Sequence, residues 1–163
     1  MSVTLAGTGS AGTSNLATAF AILDQFTATV SGDMTAFAVY TAVAGNVKLA
    51  LYSDVSGSPT NLLWSYNTSQ TCSTTSGWDT LTAGGPFPKI TAGTVYWLGA
   101  TADTTGTLTR LASGNTRWII ANTYSTYTWP ATAGAGWTTG SFTCCFAIYG
   151  TTTSGQFFQF FNY

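Results

Sequence analysis

Short runs of alternating apolar and polar residues, separated by turns that contain glycine, make up most of this chain. Residues 26–30 alternate before a Ser-Gly-Asp turn, and residues 47–52 alternate after Ala-Gly-Asn. A two-residue period, together with many threonine, valine and aromatic residues, indicates β-strands. The predicted strands are residues 26–30, 34–42, 47–52, 62–66, 77–81, 95–102, 107–111, 117–121, 142–149 and 156–161.

The spacing of these strands predicts an all-β fold. We expect a two-sheet β-sandwich, of the jelly-roll or immunoglobulin-like type, with an N-terminal arm strand. The chain has 163 residues, enough for one hydrophobic core, so we predict a single β-sandwich domain over residues 15–163. The alternative at the start of this domain is a helix over residues 15–23, where Asn15 would cap apolar residues at helical spacing.

Both ends of the chain have features that predict self-assembly. Val3 and Leu5 alternate with polar neighbours, and residues 7–14 are a flexible linker by composition. Residues 1–14 therefore form an arm and linker in our interpretation, and the alternative is a loose tail. Aromatic rings on both faces of the last predicted strand require a cover. The predicted assembly residues are Val3, Thr4, Leu5, Phe157, Phe158, Phe160 and Phe161.

The chain has almost no titratable side chains: it contains no histidine and no glutamate, and only 6% of its residues are charged. This composition excludes Ser-His-Asp and Cys-His catalysis and imidazole metal ligands. The five aspartates lie at predicted turns or strand ends, where they commonly bond to the local backbone. We predict that the protein is not an enzyme and uses no metal or cofactor. We also expect nearly constant stability between about pH 5.5 and 8.

The net charge of −1 bears on the partners of the protein. It offers no basic patch for nucleic acid or anionic lipid, and it leaves little repulsion between copies of the chain. The apolar residues 17–23 are interrupted by Thr18, and this stretch is too short for a signal peptide or a membrane span. We expect self-association, with neither nucleic acid nor membrane as a partner. The chain would be either a mature secreted form or a protein released from a cytoplasm, as phage structural proteins are.

Cysteine and asparagine supply two further candidate sites. Cys72, Cys144 and Cys145 are either buried apolar thiols or include a disulfide between Cys72 and one of the adjacent pair. Asn67 begins an Asn-Thr-Ser sequence, which is the acceptor pattern for N-glycosylation. The modification depends on the host, so Asn67 stays a candidate at this level.

Tryptophan suggests a different partner. Trp129 and Trp137 lie among hydroxyl, glycine and proline residues rather than within an alternating strand pattern. An aromatic ring beside hydroxyl groups is the chemistry that stacks on sugar rings and bonds their hydroxyls. These two residues are therefore the candidate glycan contacts, although tryptophan is also common in sandwich cores.

Two segments resemble a known domain. Residues 45–54 contain Leu-Tyr-Ser-Asp and residues 92–98 read Ala-Gly-Thr-Val-Tyr-Trp-Leu. In this pairing the chain resembles a β-sandwich domain common in uncharacterised bacterial surface proteins and some phage proteins. The resemblance covers roughly residues 26–102, and it implies an extracellular jelly-roll or immunoglobulin-like sandwich without established catalytic activity. With its N-terminal arm, the chain is also similar to pilus-like fibril subunits assembled by donor-strand exchange.

These observations lead to one expected function and two alternatives. The expected function is a structural subunit that self-assembles into an extracellular pilus-like fibre by donating its arm strand to a neighbouring copy. The first alternative is a phage virion component, either a capsid decoration or a tail protein. The second is a carbohydrate-binding module, which would have glycans as partners.

Overall fold

The computed structural model describes residues 2–82, 84–134 and 136–152, which form twelve strands. These residues contain no helix, and therefore none that is long and apolar enough to cross a membrane. The strands in chain order are β1 (Ser2–Gly7), β2 (Ser14–Asn15), β3 (Phe20–Thr27), β4 (Gly32–Thr41), β5 (Gly45–Val55), β6 (Ser58–Cys72), β7 (Gly77–Leu81), β8 (Lys89–Ile90), β9 (Val95–Ala102), β10 (Thr109–Ala121), β11 (Thr138–Cys144) and β12 (Phe146–Thr152).

The strands pair antiparallel in two sheets. The five-stranded sheet has the order β1-β12-β4-β7, with β8 also beside β4. The seven-stranded sheet has the order β11-β10-β3-β9-β5-β6, with β2 beside β10. The all-β prediction is confirmed, and the two sheets are those of a β-sandwich. The choice between the jelly-roll and the immunoglobulin-like type stays a prediction.

Large side chains from both sheets meet in the core. The ring centroid of Phe37 on β4 lies 5.9 Å from that of Phe146 on β12 and 6.3 Å from that of Trp64 on β6. All three side chains are buried. Each contributes roughly 1.5–3 kcal/mol through the apolar surface that it removes from water. Contacts of this kind between the two sheets hold the sandwich together.

β3 is buried on both faces, which explains why its sequence resembles a helix. Ile22 faces the core between the sheets, whereas Ala21 and Leu23 belong to a second apolar cluster on the outer face of the seven-stranded sheet. A strand that is buried on both faces carries a continuous apolar run rather than a clean alternation. The helix alternative over residues 15–23 is therefore wrong, and the strand predicted at residues 26–30 begins earlier, at Phe20.

Several predicted strands coincide with observed ones, and others are merged or divided. β7 and β9 have the predicted bounds, and β10 merges two strands that the sequence predicts separately. The strand predicted at residues 142–149 is divided at Cys145. The Cys145 N–H donates to the Thr109 carbonyl in one sheet, and its carbonyl accepts from the Tyr40 N–H in the other. The backbone of Cys145 therefore carries the chain from sheet to sheet.

Candidate assembly site

The arm strand β1 forms an edge of the five-stranded sheet. It pairs antiparallel with β12, and Thr4 lies opposite Tyr149. The register shifts between Thr4 and Ala6, which marks a bulge in the strand. In this structure the arm therefore rests on its own sandwich, at the place where a strand from outside could be added.

Leu5 fills a niche that two glycines leave open. Its side chain is fully buried and belongs to the core. A Cβ atom built on Gly150 of β12 would lie 2.5 Å from Cδ1 of Leu5, and one on Gly32 of β4 would lie 3.0 Å from its Cδ2. Any larger residue at these positions would overlap the leucine. The niche is therefore shaped for an apolar side chain of this size at this point of the arm.

Backbone hydrogen bonds fix the arm on both sides of Leu5. The Leu5 carbonyl accepts from the Thr29 N–H at 2.9 Å, and the Thr8 N–H donates to the Phe146 carbonyl at 2.9 Å. Val3 is partly buried against the core, whereas Thr4 is exposed. Of the three arm residues predicted for assembly, Leu5 and Val3 therefore make apolar contacts, and Thr4 takes part through the strand pairing alone.

The predicted linker joins the two sheets. Thr13 donates its N–H to the Arg110 carbonyl at 3.0 Å, so the chain is anchored again on the seven-stranded sheet immediately before β2. Between the anchors at Thr8 and Thr13, a Cβ atom built on Gly9 would meet no atom within 4 Å. The arm is therefore attached to the domain by a short segment that runs across one end of the sandwich.

The other predicted assembly residues, Phe157, Phe158, Phe160 and Phe161, lie outside the described residues. The described part of the chain ends with β12, whose Thr152 pairs with Gly32 at the start of β4. The role of these aromatic rings stays a prediction.

The outer face of the seven-stranded sheet carries a cover segment, residues 122–134. Trp129 of this segment is only 4% exposed, and it packs against Tyr52 and Tyr127 with ring centroids 6.3 and 5.1 Å apart. The prediction of Trp129 as a glycan contact is therefore wrong, because its ring has no free face for a sugar to stack on. Trp137 is partly buried against the same cluster, so its glycan role stays a prediction.

Lys48 attaches the cover segment to the sheet. Its Nζ atom donates hydrogen bonds of 2.8 Å to the carbonyls of Tyr124 and Tyr127 and lies 4.9 Å from the Tyr124 ring centroid. Tyr52 adds a hydrogen bond of 2.6 Å from its hydroxyl to the Pro130 carbonyl. A buried ammonium group requires such partners, so Lys48 and the cover depend on each other.

Asn67 lies where β6 bulges away from its neighbour. Residues 67–69 face only Lys48 across the register, because Val47 pairs with Gln70 and Leu49 with Tyr66. Asn67 is exposed. Its side-chain amide oxygen accepts a hydrogen bond of 2.9 Å from the backbone N–H of Trp129. N-glycosylation modifies the amide nitrogen and would leave this acceptor in place, so the candidate site stays a prediction.

All three cysteines are free and buried. Cys72 ends β6 at one edge of the seven-stranded sheet, whereas Cys144 ends β11 at the opposite edge. The alternative of a disulfide from Cys72 to the adjacent pair is therefore wrong, because a disulfide requires neighbouring Cα atoms. Burial raises the pKa of the Cys72 thiol to about 12, so this thiol stays protonated and unreactive at neutral pH.

Asp24 lies inside β3 and is buried, whereas the sequence predicts it at a turn or strand end. It is fully buried on β3, and its Oδ2 atom accepts a hydrogen bond from the Cys144 N–H. Burial raises its pKa to about 7, against the opposing effects of the backbone N–H groups of Cys144 and Gln25 and of the Arg117 charge. This raised pKa predicts that stability changes with pH below about 7, in place of the constant stability expected between about pH 5.5 and 8. The burial of Asp24 has one signal in the sequence: Ile22 and Phe26, which are core residues, lie on the same face of the strand.

Asp54 and Asp79 belong to two separate side-chain networks in the described part of the chain. Asp54 accepts from the side chains of Gln25 and Trp97, and Asp79 accepts from Thr41 and Thr74. No cluster of three histidine, cysteine, aspartate or glutamate residues occurs among the described residues. Asp54 and Asp79 therefore join parts of the chain that are distant in sequence.

Comparisons of this chain with protein-family models, with curated proteins and with solved structures find no match. The strand order and pairing define the class of the protein: an all-β, two-sheet sandwich with its N-terminal strand at a sheet edge.

Proposed function

We propose that this protein is a non-enzymatic structural subunit that self-assembles into an extracellular pilus-like fibre, in which β1 of one copy occupies the β1 position of the next. The observation that carries the proposal is the seat of Leu5 between Gly32 and Gly150, reached by a strand that a short linker attaches to the domain. The resemblance to sandwich domains of surface and phage proteins supports the extracellular setting.

A β1 strand that is donated to another copy makes the same contacts there as it makes on its own domain. The ladder with β12, the hydrogen bond to Thr29 and the burial of Leu5 are equally satisfied by a strand from another copy. The balance between the two arrangements then depends on the linker and on the protein concentration. Fully extended, the segment from Thr8 to Thr13 spans about 20 Å, so exchanged domains would lie close together.

A head-to-tail exchange leads to a filament. Each copy would offer one strand and one groove, and a contact of this type does not close on itself unless its rotation forms a ring. The net charge of −1 adds little repulsion between successive subunits. The fibre is therefore the expected product at high protein concentration.

Negative-stain microscopy of the purified protein, with a synthetic arm peptide as competitor, tests the proposal. We expect long fibres that become shorter when a peptide of residues 1–14 is present during assembly, because the peptide fills grooves without carrying a second domain. The same peptide with Leu5→Asp is the matched control and should leave the fibres unchanged. Monodisperse monomers, or fibres that the wild-type peptide does not affect, would contradict exchange of β1. Binding to virions without fibres would favour the virion alternative.

A further inference from the structure

An open groove lies at one end of the sandwich, apart from β1. Its volume is about 380 Å³, within the range of small-ligand sites. Three parts of the chain form it: the segment between β2 and β3, the residue after β9 and the start of the cover segment. The backbone N–H of Asn122 joins the first and the last by donating to the Ala19 carbonyl at 2.9 Å. The polar residues and the aromatic residue that line it are Thr18, Asp103, Asn122, Thr123, Tyr124 and Ser125.

Asp103 is the charged group of this groove. Its Oδ1 atom accepts from the Asn46 N–H at 2.8 Å and from the Thr104 hydroxyl at 3.0 Å, and its Oδ2 atom accepts from the Asn46 side chain at 2.7 Å. Burial raises the pKa of this carboxyl, but the hydrogen bonds from Asn46 and Thr104 outweigh burial and lower it. Asp103 is therefore an ionised and oriented acceptor, and Oδ2 keeps one lone pair for a further donor.

Tyr124 and Asn122 are held in fixed positions. The Tyr124 hydroxyl donates to Ser69 at 3.0 Å, and Lys48 holds both the carbonyl and the ring of the same tyrosine. The Asn122 side-chain nitrogen donates to the Thr101 hydroxyl at 2.9 Å. An aromatic ring and an amide are thus oriented by neighbours before any ligand arrives, which lowers the entropy lost on binding.

We propose that this groove binds a neutral saccharide. Sugar hydroxyls can donate to Asp103 and can exchange hydrogen bonds with Thr18, Thr123 and Ser125, while an aromatic ring packs on the C–H face of a sugar. The single negative charge disfavours an anionic ligand. One carboxylate, with three of its acceptor positions already filled, provides too few ligands for a divalent cation. The site uses none of the residues through which β1 would assemble.

Binding of neutral oligosaccharides, measured by glycan array and then by NMR titration with the best ligand, tests this site. We expect shift changes that centre on the amides of Ala19, Asn122 and Thr123, and loss of affinity of about tenfold or more in Asp103→Asn and Tyr124→Leu. Asp33→Asn is the matched control, because Asp33 is a half-exposed carboxylate paired with Lys89, and it does not line the groove. Its affinity should equal that of the wild type.

Melting temperatures of the variants separate a binding defect from a folding defect, and wild-type shift mapping needs no variant at all. Absence of binding at millimolar concentrations of every neutral oligosaccharide would overturn the proposal. So would binding whose shift changes lie outside the groove, or tighter binding of spermidine than of any saccharide, since that result would assign the groove to cationic amines. The Asp103→Asn variant should still form fibres, because Asp103 is not among the residues through which β1 would assemble. A failure of saccharide binding is therefore distinguishable from a failure of β1 exchange.

Discussion

The arm strand β1 and the cover segment both lie on the sandwich, but different kinds of contact hold them. β1 is held by a main-chain ladder and by Leu5, contacts that any copy of the domain can supply. The cover segment is held by the β5 side chains Lys48 and Tyr52, and it is continuous with β10. A segment of the first kind can be exchanged between copies, whereas one of the second kind is a permanent part of its own domain.

Leu5→Asp should produce the largest change, because it places a charge in the niche beside Gly32 and Gly150. We expect a loss of about 5 kcal/mol in the free energy of unfolding, from the lost leucine and the buried carboxylate, together with loss of fibres. Urea unfolding and negative-stain microscopy measure the two effects. Thr4→Asp, at the exposed neighbouring position, should change the stability by less than about 0.5 kcal/mol. Normal fibres from Leu5→Asp would show that the arm takes no part in assembly.

The pH dependence of stability tests the sandwich beneath both segments. The folded-state pKa of Asp24 is about 7, above the usual value of 3.8, so the folded protein holds a proton that the unfolded chain releases. Stability should therefore fall as pH rises from about 4 to 7, by about 3 kcal/mol, and level off above 7. Urea unfolding at several pH values measures the slope, which Asp24→Asn should abolish. An unchanged slope in this variant would assign it to another group.

Lys48→Met should loosen the cover segment and spare the arm. The variant keeps the apolar stem but leaves the carbonyls of Tyr124 and Tyr127 without their charged donor, a loss of about 2 kcal/mol. Increased exposure of Trp129, detected by fluorescence quenching, should accompany the loss, while fibres form normally. Loss of fibres with a correctly folded core would mean that the cover also takes part in assembly.

Asn67→Ala should have the smallest effect. It removes the acceptor of the Trp129 N–H, which we expect to lower stability by about 1 kcal/mol and to increase hydrogen exchange at that single amide. Asn67→Asp keeps an acceptor and is the matched control, with exchange close to that of the wild type. Equal exchange in all three proteins would show that other contacts protect this amide.

Local pattern predicts much of the sandwich, because alternation reports a strand with one buried face. The bounds of β7 and β9 follow directly from it. Local pattern fails where burial comes from a distant part of the chain. The two glycines around Leu5 resemble turn residues, although Gly32 and Gly150 meet only through strand pairing. Asp24 resembles a turn aspartate, and Trp129 resembles an exposed loop residue, until the fold buries both.

The central claim, that β1 is exchanged between copies, is tested most directly by a disulfide across the β1–β12 ladder. Ser2 and Thr151 are paired and exposed, so Ser2→Cys and Thr151→Cys in one chain place two thiols in register, while the three native thiols stay buried. After oxidation of the assembled protein, we predict a ladder of covalent multimers on a non-reducing denaturing gel, absent from either single variant. A single monomer band, with the disulfide closed within each chain, would contradict the exchange.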